Sequence, residues 1–144
     1  MNENIDFVDV EDTDDHIEIL YSSLLDRKYI ISHVKAPSYD EHIDFVKNHP
    51  YRAWVLVKKE KKIIGNFYIH QDNSIGIHFN VEHFNLLPAI FEMILKKWKP
   101  LPPIPSVRNK NFFVNAPSKN HELINTLMEI GANHIQSSFL LKEH

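Results

Sequence analysis

The sequence contains no cysteine and only three glycines among its 144 residues. Without thiols the chain forms no disulfide, offers no thiolate to a metal and has no cysteine nucleophile to carry an acyl group. Long apolar runs are also missing, so no segment reads as a membrane-spanning helix. The first residues are acidic rather than a basic stretch leading into an apolar one, and no signal peptide is expected. A basic excess is absent too: Lys and Arg total 16 against 19 Asp and Glu, for a net charge of −3. Nucleic acid is therefore not expected as a partner, because phosphate binding needs a basic face. The short clusters 58–62 and 96–99 read as solvated faces. A single cytoplasmic domain over residues 1–144 is the expectation, with no membrane partner and the oligomeric state left open.

Ten histidines are present, yet they form no His-x-His, no HExxH and no helical i,i+4 pair. No metal site is expected from such spacing. A G-x-S-x-G elbow for a serine hydrolase is missing as well.

What is present is a dense β region. Residues 51–57 and 62–70 are rich in Val, Ile, Trp, Tyr and Phe and are split by the charged segment 58–61. A third run, 74–79, follows the turn signal Gln71-Asp72-Asn73. Connections this short join sequential antiparallel strands, which gives a three-stranded meander. Before it, residues 5–10 alternate as a first strand. A helix with Thr13 as a reasonable N-cap carries Ile17, Leu20, Tyr21, Leu24 and Leu25 on one stripe to about Arg27. Ser38 and Glu41 match a capping box for a second helix ending near Asn48, before Pro50. After the meander come a helix over 88–98, a proline-rich connection, a short strand over 111–115, a helix over 118–130 closed by Gly131, and a last strand over 134–142.

This order, together with IIGNFYI followed by SIGIHF and with Asn120, Leu127 and Gly131-Ala132, resembles the GNAT superfamily of N-acetyltransferases across nearly the whole chain. The resemblance implies an α/β fold (an α+β mixed sheet): a central, twisted, antiparallel-to-mixed sheet of six to seven strands flanked by four helices. It implies transfer of acetyl from acetyl-CoA, as co-substrate, to a primary amine of a small molecule, with an amino sugar or nucleotide-linked amino sugar favoured. An inactive GNAT-like binding module is the alternative. The family's fourth and fifth strands diverge, and the pantetheine arm pairs with the exposed edge, which here is Ile77, His78 and Phe79. Asn120 faces them from the opposite wall.

Departures from the family pattern are concentrated in its pyrophosphate loop, Arg/Gln-x-x-Gly-x-Gly/Ala, whose counterpart is Phe84-Asn85-Leu86-Leu87-Pro88-Ala89. Asn85, Leu87 and Ala89 supply the candidate phosphate contacts, but no arginine or glycine remains and Pro88 removes an N–H donor. The family's frequent thiolate-protonating tyrosine falls on Leu127, and Ala132 replaces the phenylalanine of its final Gly-Phe. On the acceptor side the catalytic candidates are His70, His33 and Tyr68, a base and a hydrogen-bonding partner for the attacking amine. His49 and Tyr51 are the substrate candidates. For each histidine the simpler reading is a solvated strand-end or loop residue, and for Trp54 and Trp98 it is core.

Overall fold

The computed structural model describes residues 4–27 and 36–142. Among them the order is β1 (Ile5–Asp9), α1 (Asp14–Leu25), α2 (Tyr39–Asn48), β2 (Ala53–Lys59), β3 (Lys62–Ile69), β4 (Ser74–Phe79), a 3-10 helix (Val81–Leu86), α3 (Leu87–Lys97), β5 (Phe113–Val114) and α4 (His121–Ile130). No helix among these residues is long and apolar enough to cross a membrane.

Local chemistry explains the helix starts. The Thr13 side chain accepts from His16 N. At α2 the reciprocal bonds of a capping box are both made, Glu41 N to Ser38 Oγ at 3.2 Å and Ser38 N to Glu41 Oε1 at 2.9 Å. These satisfy donors that a helix start leaves without partners. At the β2–β3 turn, Glu60 and Lys61 both adopt positive φ, 51° and 72°. That geometry matches the twist of a tight hairpin. Ile64 is then the extra residue of a bulge, because Val57 pairs with Gly65 and Lys58 with Ile63.

The sheet runs β1-β2-β3-β4-β5. All pairs are antiparallel except β4–β5, which is parallel. Strand alternation divides the side chains between two faces. Val55, Val57, Phe67, Ile69, Ile75 and Ile77 face α3 and α4 and form the main core with Leu87, Ile90, Ile94 and Leu123. Trp54 and Leu56 face α1 and α2, against Ile17, Leu20 and Val46. The two tryptophans are thereby separated. Trp98 lies on the α3 side, 5.8 Å from the Phe67 ring, and Trp54 lies on the α1/α2 side, 5.1 Å from the Tyr51 ring.

The sheet has five strands among the described residues, not six to seven. Residues 132–142 form no strand, and Phe139, Leu140 and Leu141 are 85%, 84% and 91% exposed. A strand needs a bonded neighbour, and Gly131, at φ 104°, turns the chain off the end of α4 with no ladder to join. The strand expected over 111–115 shrinks to Phe113–Val114. Tyr39 at the start of α2 and Met128 in α4 are 38% and 55% exposed.

Candidate active site

The cleft begins where the parallel pair gives out. Only Ser74↔Phe113 and Ile75↔Val114 are in register between β4 and β5. Asn73 holds this junction in place. Its side chain is fully buried, accepts from Leu101 N at 2.8 Å, and donates to the carbonyls of Leu101 and Asn109 at 3.0 and 2.8 Å. Its own carbonyl accepts from Phe113 N at 3.2 Å. One residue therefore ties the start of β4, the proline-rich connection and the start of β5. The φ of 73° at Asn73 is one that asparagine tolerates better than most residues.

Beyond Ile75 the strands part, and a cleft of about 900 Å³ opens between Gly76–Asn80 on one side and Asn115, Pro117 and Asn120 on the other. His70 N bonds Ser74 O, whereas Ile75 O accepts from Asn115 N. Alternation then aims the main-chain groups of Ile77 and Phe79 along the edge that β5 leaves uncovered.

The opposite wall is aromatic and polar. Tyr51 and Tyr68 stack with ring centroids 4.2 Å apart and planes 5° from parallel. His70 meets both edge-on, at 4.9 and 5.0 Å. Gly76 makes room for this stack, since a Cβ there would come within 2.2 Å of Tyr68 Cζ. Trp54 donates to Asn66 Oδ1 at 3.3 Å, and Asn66 reaches Ser23 Oγ on α1 at 3.5 Å. His42 Nε2 lies 3.0 Å from Ile17 O and links α2 to α1.

Electrostatically the wall favours neutral side chains. Burial pushes both tyrosine hydroxyls up, Tyr51 strongly. Burial, assisted by the nearby Arg27 charge, lowers His78 to about 3, so its imidazole is neutral. Burial also lowers His42 and Arg27. Two polar atoms in the cleft residues, Arg27 Nε and His78 Nε2, are sequestered without a hydrogen-bond partner. A buried polar atom without a partner costs about 1–3 kcal/mol.

Of the sequence candidates, the fold brings His70, Tyr68, Ile77, His78, Phe79 and Asn120 to one cleft. Asn120 also caps α4, accepting from Leu123 N at 3.2 Å. Tyr51 supports the wall from behind Tyr68. His49 packs on Tyr51 and Trp54 but opens onto a separate groove with Asp9 and Arg52. His33 lies outside the described residues. Asn85, Leu87 and Ala89 do not line the cleft. The 3-10 helix runs directly into α3, and Leu86 and Leu87 are core residues at 3% and 0% exposure. At the α3 start Leu87 packs into the core, while Asn85 and Pro88 are exposed. Ser23, Asn66 and Arg27 join the cleft without having been singled out in the sequence.

Solved structures share this architecture. Ribosomal-protein-alanine N-acetyltransferase from Brucella melitensis biovar Abortus 2308 superposes with a TM-score of 0.60 at 14% identity, over 97% of this chain and 98% of that one. An aminoglycoside acetyltransferase from an uncultured soil metagenomic sample, in complex with sisomicin, gives 0.56 at 11%, over 98% and 97%. A possible acetyltransferase from Clostridium difficile 630 gives 0.55 at 11%, over 99% of each chain. No protein-family model and no curated protein matches the sequence. The chain has the fold of the GNAT superfamily.

Proposed function

We propose that this protein is a GNAT-type N-acetyltransferase that moves acetyl from acetyl-CoA to a primary amine of a small molecule. The carrying observation is the parting of β4 from β5 after Ile75, which leaves a main-chain edge beside a polar, aromatic wall. The edge suits an amide-rich pantetheine arm, which pairs with a strand as another strand would. The acetyl donor then arrives in the β4–β5 gap, while the acceptor approaches from the α1/α2 face.

The chemistry needs no covalent enzyme intermediate. The amine nitrogen forms a bond to the thioester carbonyl carbon, the C–S bond breaks, and coenzyme A leaves as a thiolate that takes its proton from water. The Ile77 N–H, on the open edge, is the donor suited to the developing oxyanion. His70, at the rim of the wall, is the base that takes the amine proton directly or through water. Tyr68 orients the amine, with Tyr51 holding its ring. Holding both substrates in one cleft supplies much of the rate. An amino sugar, free or nucleotide-linked, remains the favoured acceptor class because the wall combines stacking rings with hydroxyl and amide groups. A cytoplasmic location fits a reaction that consumes acetyl-CoA.

The pyrophosphate end fits less well. The loop carries no arginine or glycine, and Pro88 removes an N–H donor at the α3 start. Each lost charge-assisted hydrogen bond is worth about 1.5–3 kcal/mol, so losing one or two costs roughly one to four decades of affinity. Calorimetry with acetyl-CoA is expected to give a high-micromolar dissociation constant. Thiol release with a panel of primary amines should fall about 10²-fold or more in His70→Ala, with the melting temperature unchanged. The same loop favours the second reading, a GNAT-like module without turnover. Absence of binding at millimolar acetyl-CoA decides for it.

A further inference from the structure

Arg27 is the only lysine or arginine among the described residues lining the cleft. It follows the C-cap of α1, and its guanidinium turns toward the β3–β4 wall, where Tyr68, Tyr51 and His78 feel its charge. No carboxylate pairs with it among the described residues. The cleft's acidic residues offer none: Asp26 is its exposed chain neighbour, and Glu82 and Glu122 belong to the 3-10 helix and α4 across the opening. Arg27 Nε is sequestered without a hydrogen-bond partner, and so is Nε2 of the neutral His78 in the same wall.

A guanidinium whose Nε is buried without a hydrogen-bond partner is an unfavourable arrangement. It becomes favourable when an oxyanion completes it, because the planar fork matches two oxygens of a carboxylate or phosphate. We infer that Arg27 is an acceptor-recognition residue, and that the amine substrate carries an oxyanion, a carboxylate or a phosphate, held by its guanidinium beside Tyr68 and His78. This rests on the acetyltransferase reading above. It places the anion on the acceptor rather than the cofactor, because the residues around Arg27 belong to the β3–β4 wall and not to the β4–β5 gap. Arg27 binds substrate. His70 remains the group that handles the proton.

The test uses the whole chain and an Arg27→Met variant that keeps the length of the side chain and removes its charge. Melting is followed with acetate, inorganic phosphate or citrate against chloride at constant ionic strength. A rise for the oxyanions in the wild type that vanishes in Arg27→Met is expected, and a rise that persists in the variant, or is absent from both, overturns the site. Without ligand the variant should melt at or above the wild-type temperature, since a buried Nε without a partner has been removed. A marked fall would assign Arg27 a structural role instead. Calorimetry with coenzyme A separates the two phosphate sources: affinity unchanged in the variant supports an acceptor anion, and a tenfold loss gives the residue to the cofactor.

Transfer assays then use the matched probes β-alanine against propylamine and phosphoethanolamine against ethanolamine. The wild type should prefer the anionic partner by about tenfold or more in kcat/KM, and the ratio should fall toward one in Arg27→Met. Equal ratios in the two proteins overturn the proposal. If no amine is acetylated but the oxyanion-dependent melting shift is present and Arg27-dependent, the anion site stands and the acetyltransferase reading fails.

Discussion

The two sides of β4 are built on opposite plans. Toward β3 it is paired in unbroken register from Ile75 to Phe79, against a strand that the β2–β3 turn and bulge hold in place. Toward β5 it is paired for two residues and then abandoned. The first side is held by ladder bonds and by Phe67, Ile69 and Ile77 in the core. The second depends on one asparagine and a proline-rich connection. A sheet that is firm on one side of a strand and open on the other supplies main-chain groups without a partner, in a position the firm side fixes. The cleft follows from that asymmetry.

The largest expected effect comes from weakening the firm side. Phe67 is fully buried, with its ring 5.0 Å from Phe7 and 5.8 Å from Trp98. Phe67→Ala should cost about 3–5 kcal/mol in denaturant unfolding. A loss below about 1 kcal/mol would mean the core lies elsewhere.

Next comes the junction. Asn73→Gly keeps the positive φ but removes three side-chain hydrogen bonds, and should cost about 2–3 kcal/mol. Amide exchange sharpens the result: Phe113 and Asn115 should lose protection while Val55 and Phe67 keep theirs. Equal loss on both sides would show that the sheet opens as one unit.

A smaller effect is expected where the firm side meets the cleft. Gly76→Ala places a Cβ against the Tyr68 ring, at a cost of about 1–3 kcal/mol. The displaced ring should also change the near-ultraviolet circular dichroism of the tyrosine pair. An unchanged spectrum would show that the stack accommodates the methyl group.

The gentlest probe is pH. Burial lowers His78 from 6.5 to about 3, so across that window the unfolded chain binds a proton that the folded chain refuses. Stability contributed by His78 is complete above about pH 6.5 and declines toward pH 3, by up to roughly 1.4 kcal/mol per pH unit. His42, also lowered by burial, acts in the same direction. His78→Asn should flatten the acid limb of the stability curve, and an unaltered limb would assign it to other groups.

These regions also differ in how much of them the sequence disclosed. The meander was legible because strand propensity, turn residues and alternation agree within about 30 residues. Ser38 and Glu41 announced α2 for the same reason, since a cap is a local interaction. The divergence of β4 from β5 came from the family resemblance and not from any residue's own chemistry. The role of Asn73 was invisible, because its partners Leu101 and Asn109 are distant in sequence. Arg27 read as the end of a helix, and only the fold sets it against Tyr68. Residues 134–142 have a strand's composition but no partner strand, and composition alone does not supply a neighbour. His70, Tyr68, Ile77, His78, Phe79 and Asn120 were named through the fold they imply, and that fold brings them to one cleft. Asn85, Leu87 and Ala89 were placed by counting along the family's loop, a stretch that this chain builds as the end of a 3-10 helix and the start of α3.

The separation of the two tryptophans equips the protein with a pair of internal lamps. Trp54 shares its surroundings with Tyr51, His49 and the bond to Asn66 on the α1/α2 face, while Trp98 sits across the sheet among Phe7 and Phe67. Replacing Trp98 by Phe leaves an emission that samples the α1/α2 face alone, and replacing Trp54 by Phe leaves one that samples only the core beneath α3. Fluorescence from two single-tryptophan proteins can then tell, without label or activity assay, which face of the sheet a small molecule has reached.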